Sequence, residues 1–302
     1  MCKNVKMKRI LAFSCSTDAT VDVVLRFARN VKIDRFDTDK IKPHLIFADC
    51  LGRTSLDNYD VIWYRRPFEF EKKTKNIDGF IQQKEWKEIV WNHFLQVPPK
   101  KWMNFPTINW YADRKLIQLQ NAPKYGLQVP PWLISSNKKQ ISEFLMEQGN
   151  CLVKPMDNGF VPYGNKLFHI YSTEFDNRIS LNYAKNCPTL FQKIIKKVFD
   201  IRTLFVDGKV LFFKLESKHL DVRFNQMKSV KYSLIEPPRS VKTAYCNFVK
   251  SYGMRFCTSD FVVDENNQWF FLENNPNGNW AWMEEFFPGV VVNFFVDSIR
   301  SI

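Results

Sequence analysis

Several features that mark common classes of protein are missing from this sequence. No uncharged apolar run approaches the ~20 residues that a membrane helix needs, so we expect no membrane-spanning segment. Glycine is scarce, with 10 residues in a chain of 302, and neither a Gly-x-Gly-x-x-Gly nor a Walker A motif occurs. Those motifs are typical of Rossmann and P-loop nucleotide sites, and neither kind of site is supported here.

Cysteine and histidine are present but form no pattern. The seven cysteines are scattered, lack a Cys-x-x-Cys motif and are odd in number, so no disulfide framework is expected. The four histidines are isolated in the sequence, which argues against a zinc site. The apolar stretch 10–13 behind the basic start is too short for a signal peptide and predicts a strand. We therefore expect a cytoplasmic protein with reduced thiols.

The composition is that of an ordered globular protein with a basic surface. Hydrophobic residues make up 45% and aromatic residues 16%, and the length suits about two domains. The net charge of +13 favours nucleic acid, phosphate groups, an acidic peptide or a membrane surface as partner. The excess is largest in residues 193–255, with 14 Lys and Arg against 5 Asp and Glu. A solvated basic face explains this charge equally well.

The hydrophobic pattern alternates strands and helices, which indicates an α/β protein. The predicted strands are 9–13, 44–48, 59–64, 151–154, 167–171, 190–195, 201–206 and 210–215. The predicted helices are 21–30, 82–94, 113–122, 138–148 and 240–252.

The segment 260–273, DFVVDENNQWFFLE, predicts a β-hairpin near the end of the chain. A two-residue turn at Asn266 and Asn267 suits the left-handed conformations that a tight hairpin requires. This turn sets Asp260 directly opposite Glu273, on the same face of the strand pair. The sequence therefore predicts two facing carboxylates at the far end of an apolar hairpin.

Facing carboxylates repel each other, and removing water from them costs more than an ordinary cross-strand pair contributes. A divalent cation offsets both terms. If the strand continues, Asn275 shares the face of Glu273. The oxygens of Asp260, Glu273 and Asn275 are hard ligands that suit Mg²⁺, which is usually held by one or two carboxylates and by substrate phosphates. The alternative is an exposed hairpin end where both acids are solvated.

Four basic residues are candidates for phosphate contacts. Lys154 ends an apolar strand before a glycine-bearing loop, and Lys115 stands near the start of a predicted helix. A lysine that reaches past its strand into solvent explains Lys154 as well. Arg202 and Arg223 lie in two Asp-x-Arg units, where local salt bridges are the alternative.

These motifs, in this order, resemble the ATP-grasp fold. The matching segments are ADRKLIQLQNAPKYGLQVPPWL, CLVKP, PTLFQKIIKKVFDIRTLFVDGKVLFF and SDFVVDENNQWFFLENNPNG. Within that fold the chain is most similar to the graspetide synthetases, which are microviridin-type ligases that mature ribosomal peptides. The narrower match is carried by the segments VIWYRRP, LESKHLDVRFN and FLENNPNGNWAWME and by the opening FSCSTDATVDVV.

The resemblance implies an α/β (α+β) ATP-grasp fold behind an N-terminal pre-ATP-grasp domain. The implied units are residues 1–105, a central subdomain at 106–190 and a C-terminal subdomain at 191–302. It also implies a role for each matching residue. Lys115 and Lys154 would hold ATP phosphates, Gln192, Lys193 and Ile194 would line the adenine hinge, and Asp200 would neighbour the ribose. Arg202 and Arg223 would be catalytic at the γ-phosphate, and Asp260, Glu273 and Asn275 would bind Mg²⁺. Arg65 and Arg66 would face an acidic substrate, or simply be surface charge.

The implied activity is an ATP- and Mg²⁺-dependent carboxylate ligase. Asp or Glu side chains of a precursor peptide, with a leader and an acidic core, would become acyl phosphates. Ser or Thr hydroxyls or Lys amines would then capture them, giving macrocyclic esters or amides. The resemblance allows a homodimer and implies no nucleic-acid or membrane partner. Two alternatives stay open, namely an ATP-grasp ligase for a small molecule or protein tail, and a basic nucleic-acid-binding module.

Overall fold

The structure is a computed structural model that describes residues 7–40, 55–68, 76–157, 159–163, 166–176, 178, 181–217 and 230–300. The strand predicted at 44–48 and the candidate catalytic residue Arg223 lie outside the described residues. Within the described part, none of the helices combines the length and apolarity that crossing a bilayer requires.

The first sheet is parallel and is built from the start of the chain. Its strands β1 (Arg9–Ser14), β2 (Lys32–Asp37), β3 (Val61–Tyr64) and β4 (Trp102–Met103) lie in the order β2-β1-β3-β4. Strand β1 is apolar and buried almost throughout, as a central parallel strand should be. The edge strand β2 was not predicted, because its sequence KIDRFD carries charges that hide the pattern.

Helices connect these strands and lead out of the sheet. They are α1 (Ala19–Phe27), α2 (Ile77–Leu95), α3 (Pro106–Ala112) and α4 (Lys115–Asn121). Helix α1 begins at Asp18, whose carboxylate accepts hydrogen bonds from the backbone N–H groups of Thr20 and Val21. Asp18 therefore stands at the carboxyl end of β1, where functional loops of parallel sheets often lie.

The middle of the chain forms a second, antiparallel sheet. Strands β5 (Trp132–Ser135), β6 (Cys151–Lys154), β9 (Thr173–Glu174) and β10 (Thr189–Lys193) lie in the order β5-β10-β6-β9. Helix α5 (Lys138–Gln148) covers it through Ile141, which packs with Phe191. A separate hairpin joins β7 (Phe160–Tyr163) to β8 (Lys166–His169).

The last part forms a five-stranded antiparallel sheet. Its strands are β11 (Lys197–Val206), β12 (Lys209–Glu216), β13 (Lys231–Leu234), β14 (Phe256–Asp264) and β15 (Trp269–Asn275), in the order β13-β12-β11-β14-β15. Helix α6 (Arg239–Ser251) packs on one face, and helix α7 (Val291–Arg300) packs on the other face together with the first sheet. Alternation along β11 supplies both cores, with Ile201 and Phe205 toward α6 and Leu204 and Val206 toward α7.

The β14–β15 hairpin has the predicted carboxylate pair but a different turn. Three residues connect its ends, because Asp264 N–H bonds to Gln268 O at 3.1 Å. Only Asn267 takes a left-handed φ, at 57°. The predicted two-residue turn is therefore wrong, since this connection is the longer hairpin type with one left-handed residue.

A β-bulge restores the register that the turn would have shifted. Phe261 pairs with Phe271, whereas the preceding residue Asp260 pairs with Glu273, so Leu272 is the extra residue. Phe271 belongs to the core under α6, yet Glu273, two residues further on, lies on the opposite face beside Asp260. The bulge thus reverses which face the residues after Leu272 lie on. As a result Glu273 does not lie on the core face of β15.

Candidate active site

Two carboxylates face each other within the β14–β15 hairpin, two pairs before its ladder ends. The side chains of Asp260 and Glu273 are 28% and 35% exposed. Asn275 follows on the same face of β15, and its side-chain oxygen accepts the N–H of Asn277 at 3.0 Å. The described residues include no cluster of three His, Cys, Asp or Glu side chains that could hold a metal. A metal here would depend on the two carboxylates, an amide oxygen and ligand oxygens.

Arg202 neutralises the first of these carboxylates. It stands opposite Asp260 on the neighbouring strand β11, and its Nη1 donates to both carboxylate oxygens at 2.7 and 2.6 Å. Its Nη2 donates to the backbone oxygen of Asn279 at 3.3 Å. Asp200 lies two residues earlier on β11, on the same face, and pairs with Lys197 at 2.5 Å.

Lys115 stands between the hairpin and the second sheet. Its Nζ lies 3.9 Å from Glu273 Oε2 and donates to the backbone oxygens of Pro155 and Asp157 at 2.7 and 3.0 Å. Lys154 ends strand β6 directly before Pro155 and is half-buried. The two lysines therefore flank the same loop, as the shared phosphate role would require.

Asp113 adds an acid that the sequence did not single out. Burial raises the pKa of Asp113 to about 6, with Arg114 and Lys115 lowering the value and Glu273 and Asp157 raising it. The residue nevertheless counts as exposed to solvent. Its place in the sequence, two residues before the candidate Lys115, is the feature that could have indicated that it lies near the site.

The three hinge residues lie at the end of β10, between the second and third sheets. The backbone N–H of Lys193 bonds to Pro131 O at 2.8 Å, and that of Ile194 bonds to Asn150 O at 2.9 Å. The side chain of Gln192 is 1% exposed, and its Nε2 has no hydrogen-bond partner among the described residues. An acceptor on a ligand at the hinge would satisfy this buried donor.

Arg65 and Arg66 occupy different environments. Arg65 is fully buried, pairs with Asp18 at 3.1 Å, and donates to the backbone oxygens of Asn277 and Gly278 at 3.3 and 3.2 Å. It has no surface on which to meet a peptide, so the substrate contact predicted for it does not fit this structure. Arg66 is half-buried and reaches Asn277 O at 3.5 Å.

The loop after β15 packs tightly against β14 and is hydrogen-bonded by residues from other elements. A Cβ on Gly278 would lie 1.7 Å from Thr258 Oγ1, so only glycine fits there. Asn109 donates to the side-chain oxygen of Asn277 at 3.0 Å. With the bonds from Arg65 and Arg202, this loop is fixed from the first sheet, from α3 and from β11.

Comparison with known proteins gives no match at the level of sequence families. No family model matches the chain, and no curated protein matches it.

Solved structures do match. Macrocyclase MdnC bound with precursor peptide MdnA from Microcystis aeruginosa MRC aligns at a TM-score of 0.77 and 19% identity, covering 97% of this chain and 98% of that chain. A Chryseobacterium gregarium RiPP-associated ATP-grasp ligase, in complex with ADP and a leader and core peptide, aligns at 0.80 and 19%, covering 98% and 96%. The ligase PsnB, complexed with minimal precursor, Mg and ADP, aligns at 0.73 and 17%, covering 97% and 97%.

This chain has the ATP-grasp fold. The predicted fold class is therefore confirmed, and the motifs that suggested it fall on α4, β6, β11 and the β14–β15 hairpin. Five of the predicted residues meet on one face of the third sheet of this ATP-grasp fold, beside its edge strand β15. They are Lys115, Arg202, Asp260, Glu273 and Asn275. Lys154 and the hinge residues approach from the second sheet.

Proposed function

We propose that this protein is an ATP- and Mg²⁺-dependent carboxylate ligase that acts on a peptide. The observation that carries the proposal is the meeting of Asp260 and Glu273, each beside a basic side chain, in the β14–β15 hairpin of an ATP-grasp fold. The similar structures named above support it, because they are a macrocyclase and two ATP-grasp ligases, each in complex with a peptide, and both ligases also hold ADP.

The described residues suit a magnesium-bound nucleotide. Asp260 and Glu273 each have a cation within 4 Å, Arg202 at 2.6 Å and Lys115 at 3.9 Å, so two carboxylates lie side by side with basic groups next to them. Asn275 would add an amide oxygen to this donor set, which has the hard character that Mg²⁺ prefers. Lys115 and Lys154 would contact phosphates. Adenine would lie at the hinge of Gln192, Lys193 and Ile194, with Gln192 Nε2 as a donor and Asp200 near the ribose.

In the proposed reaction MgATP supplies a phosphoryl group to an Asp or Glu side chain of the peptide, and ADP leaves. A Ser or Thr hydroxyl or a Lys amine of the same peptide attacks the acyl carbon, and phosphate leaves. The net change in the peptide is the loss of one water per ester or amide formed. Arg202 and Arg223 would stabilise the charge on the transferred phosphoryl group, a contribution of positioning and electrostatics.

The substrate would be a precursor peptide with a leader and an acidic core. Repeated ligation within one peptide would produce macrocycles. The net charge of +13 favours such an acidic partner. Arg66 is the basic residue of the pair at 65 and 66 that is still accessible to it. We propose a cytoplasmic site of action, where ATP is available.

The test is incubation of the protein with a candidate precursor peptide, ATP and Mg²⁺, followed by mass measurement and assay of ADP. We expect the peptide to lose one water mass per bond, with one ADP released for each. ADP release with free amino acids and a small acceptor, but not with peptide, would favour the small-molecule ligase instead. An unchanged mass with the cognate peptide and no ADP would contradict the proposal.

A further inference from the structure

The strand that carries Glu273 and Asn275 lies at the edge of its sheet. Among the described strands, β15 is paired only with β14. The backbone N–H and C=O groups on its outer side need other partners, and an uncovered edge strand is easily displaced. What covers this edge therefore controls where the two candidate metal ligands stand.

Two glutamines from other parts of the chain cover the edge. The backbone oxygen of Gln128 accepts the N–H of Phe271 at 2.8 Å. Further along, the side-chain amide of Gln118 forms hydrogen bonds with both the backbone N–H and the backbone C=O of Asn274. Its Nε2 donates to Asn274 O and its Oε1 accepts Asn274 N–H, both at 2.8 Å. Asn274 is the residue between Glu273 and Asn275.

Gln118 is itself held firmly. Its side chain is 1% exposed, and its Nε2 also donates to Ala112 O at 2.7 Å, so the amide has three bonds in a buried setting. The Asn274 side chain is fixed on the far side, where its oxygen accepts the hydroxyl of Ser259 at 2.9 Å. Because the residue is held at both backbone and side chain, the directions of its two neighbours are set.

The same helix also carries one of the candidate phosphate cations. Lys115 and Gln118 are three residues apart on α4 and so lie on one side of it. Lys115 Nζ approaches Glu273 Oε2 at 3.9 Å, while Gln118 bonds to the next residue of the strand. One helix thus positions both a cation and the backbone of the carboxylate strand.

We propose that Gln118 is a positioning residue for the Mg²⁺ site and acts through the backbone of Asn274. The inference rests on the proposed function, because it concerns the affinity of the same metal site. A purely structural glutamine would lower stability when replaced and leave metal affinity unchanged. A positioning residue changes metal affinity at temperatures where the protein is fully folded.

The test is Gln118→Met, which keeps the side-chain length and removes the donor and the acceptor. Calorimetric titration measures Mg²⁺ binding to the ADP-bound protein, and ADP binding without Mg²⁺ is measured separately. We expect Mg²⁺ affinity to fall by about 10- to 100-fold, the range found when residues that support metal ligands are changed. ADP affinity without Mg²⁺ should stay within about twofold, because the adenine and lysine contacts are untouched.

Two controls separate positioning from stability. Gln120→Met makes the same change at an exposed position of the same helix and should alter nothing. Ile299→Val thins the core at a fully buried residue of α7, so it should lower stability without changing Mg²⁺ affinity. If Gln118→Met does not fold, Gln118→Asn keeps the amide but shortens the side chain by one methylene. It weakens the bonds to Asn274 without burying a charge, and Mg²⁺ affinity should still fall.

Equal Mg²⁺ affinity in the wild type and a folded Gln118 variant would overturn this inference and leave the proposed function standing. A wild type that binds neither Mg²⁺ nor ADP would overturn the proposed function, and the inference with it.

Discussion

At the residue scale, the two facing carboxylates differ in what holds them. Asp260 is bound by Arg202 from the neighbouring strand, whereas Glu273 has the more distant Lys115, which also bonds to two backbone oxygens. Asp260 is therefore tied to the sheet, whereas Glu273 lies near a lysine that is shared with two backbone oxygens. Removing the charge of Glu273 should affect the metal more than the fold.

Glu273→Gln tests this expectation. The variant should fold with a midpoint close to that of the wild type, because the side chain is partly exposed. Its Mg²⁺-dependent ATP turnover should fall by at least about 100-fold, since a ligand charge is lost. Glu265→Gln, at the exposed tip of the same hairpin, is the matched control and should be fully active. Turnover retained in Glu273→Gln would remove this residue from the metal site.

The buried pair of Asp18 and Arg65 is a second residue-scale feature. Burial raises the pKa of Asp18, but the charge and hydrogen bonds of Arg65 and the bond from Ser14 outweigh it and hold the pKa below its ordinary value. Such a carboxylate stabilises the fold above its unfolded pKa of about 3.9 and loses this contribution as the pH falls through the lowered folded pKa.

Asp18→Asn leaves the buried Arg65 charge without its counter-ion. At pH 7 we expect a loss of about 3–5 kcal/mol in the free energy of unfolding, measured with urea. The difference from the wild type should shrink as the pH is taken below about 4, because Asp18 of the unfolded chain then binds a proton while the folded state still holds the carboxylate ionised. A difference that stays constant with pH would show that charge is not the cause.

Arg65 also shows how far residue roles follow from sequence. Two adjacent arginines after a strand suggest a basic surface, and the substrate role was assigned to both. The partners of Arg65 are Asp18, 47 residues away, and the loop at Asn277 and Gly278, over 200 residues away. No local pattern encodes such contacts. Lys154, Arg202 and Glu273 could be proposed from the sequence because strand ends and Asp-x-Arg spacing are local signals.

At the element scale, the facing pair of Asp260 and Glu273 in the β14–β15 hairpin was predicted correctly. The turn type and the bulge were not predicted. Alternation gave the strands, and Asn266 and Asn267 gave the turn region. The three-residue turn and the bulge at Leu272 are two deviations that cancel, so Asp260 and Glu273 still face each other. Periodicity alone cannot reveal a pair of compensating shifts.

The turn makes a prediction that separates the two hairpin types. Only Asn267 has a left-handed φ, so Asn267→Ala should cost about 1 kcal/mol, while Asn267→Gly should be nearly neutral. Asn266→Ala should stay within about 0.5 kcal/mol of the wild type. Urea unfolding of the three variants gives these values. Equal costs at the two asparagines would indicate the two-residue turn.

Helix α4 illustrates the opposite case. Its existence was predicted from Leu116, Ile117 and Leu119, but Leu116 is exposed and Gln118 is buried. The reason is tertiary, because Gln118 meets the edge of β15, 156 residues later in the chain. The sequence shows only a glutamine next to the apolar positions of a short helix. It does not indicate that Gln118 is buried or that Asn274 is its partner.

At the scale of the whole molecule, the first and third sheets share one hydrophobic core. Ile10 and Trp63 of the first sheet pack in the same cluster as Phe213 of the third sheet and Phe295 of α7. Trp280, directly after the site loop, is fully buried between Trp63 and Phe295. The sequence predicted the fold class from its motifs, whereas this shared core depends on contacts that no motif contains. The domain boundaries at 105 and 190 remain predictions.

The first and third sheets also hold the loop after β15 jointly. Arg65, from the first sheet, and Arg202, from the third, both bond to backbone oxygens between Asn277 and Asn279. The loop begins two residues after the last candidate metal ligand. Arg65, next to the first sheet, therefore helps to hold the loop beside the candidate site. The residues proposed to contact MgATP lie on α4 and on the second and third sheets.

The measurement that tests the central claim most directly is a crystal structure of the protein with Mg²⁺ and a non-hydrolysable ATP analogue. We predict a magnesium ion bound by oxygens of Asp260, Glu273 and Asn275 at about 2.0–2.1 Å, with the remaining positions filled by phosphate oxygens and water. Lys115 and Lys154 should contact the same triphosphate. A nucleotide bound elsewhere, or a magnesium ion that touches neither carboxylate, would contradict the account.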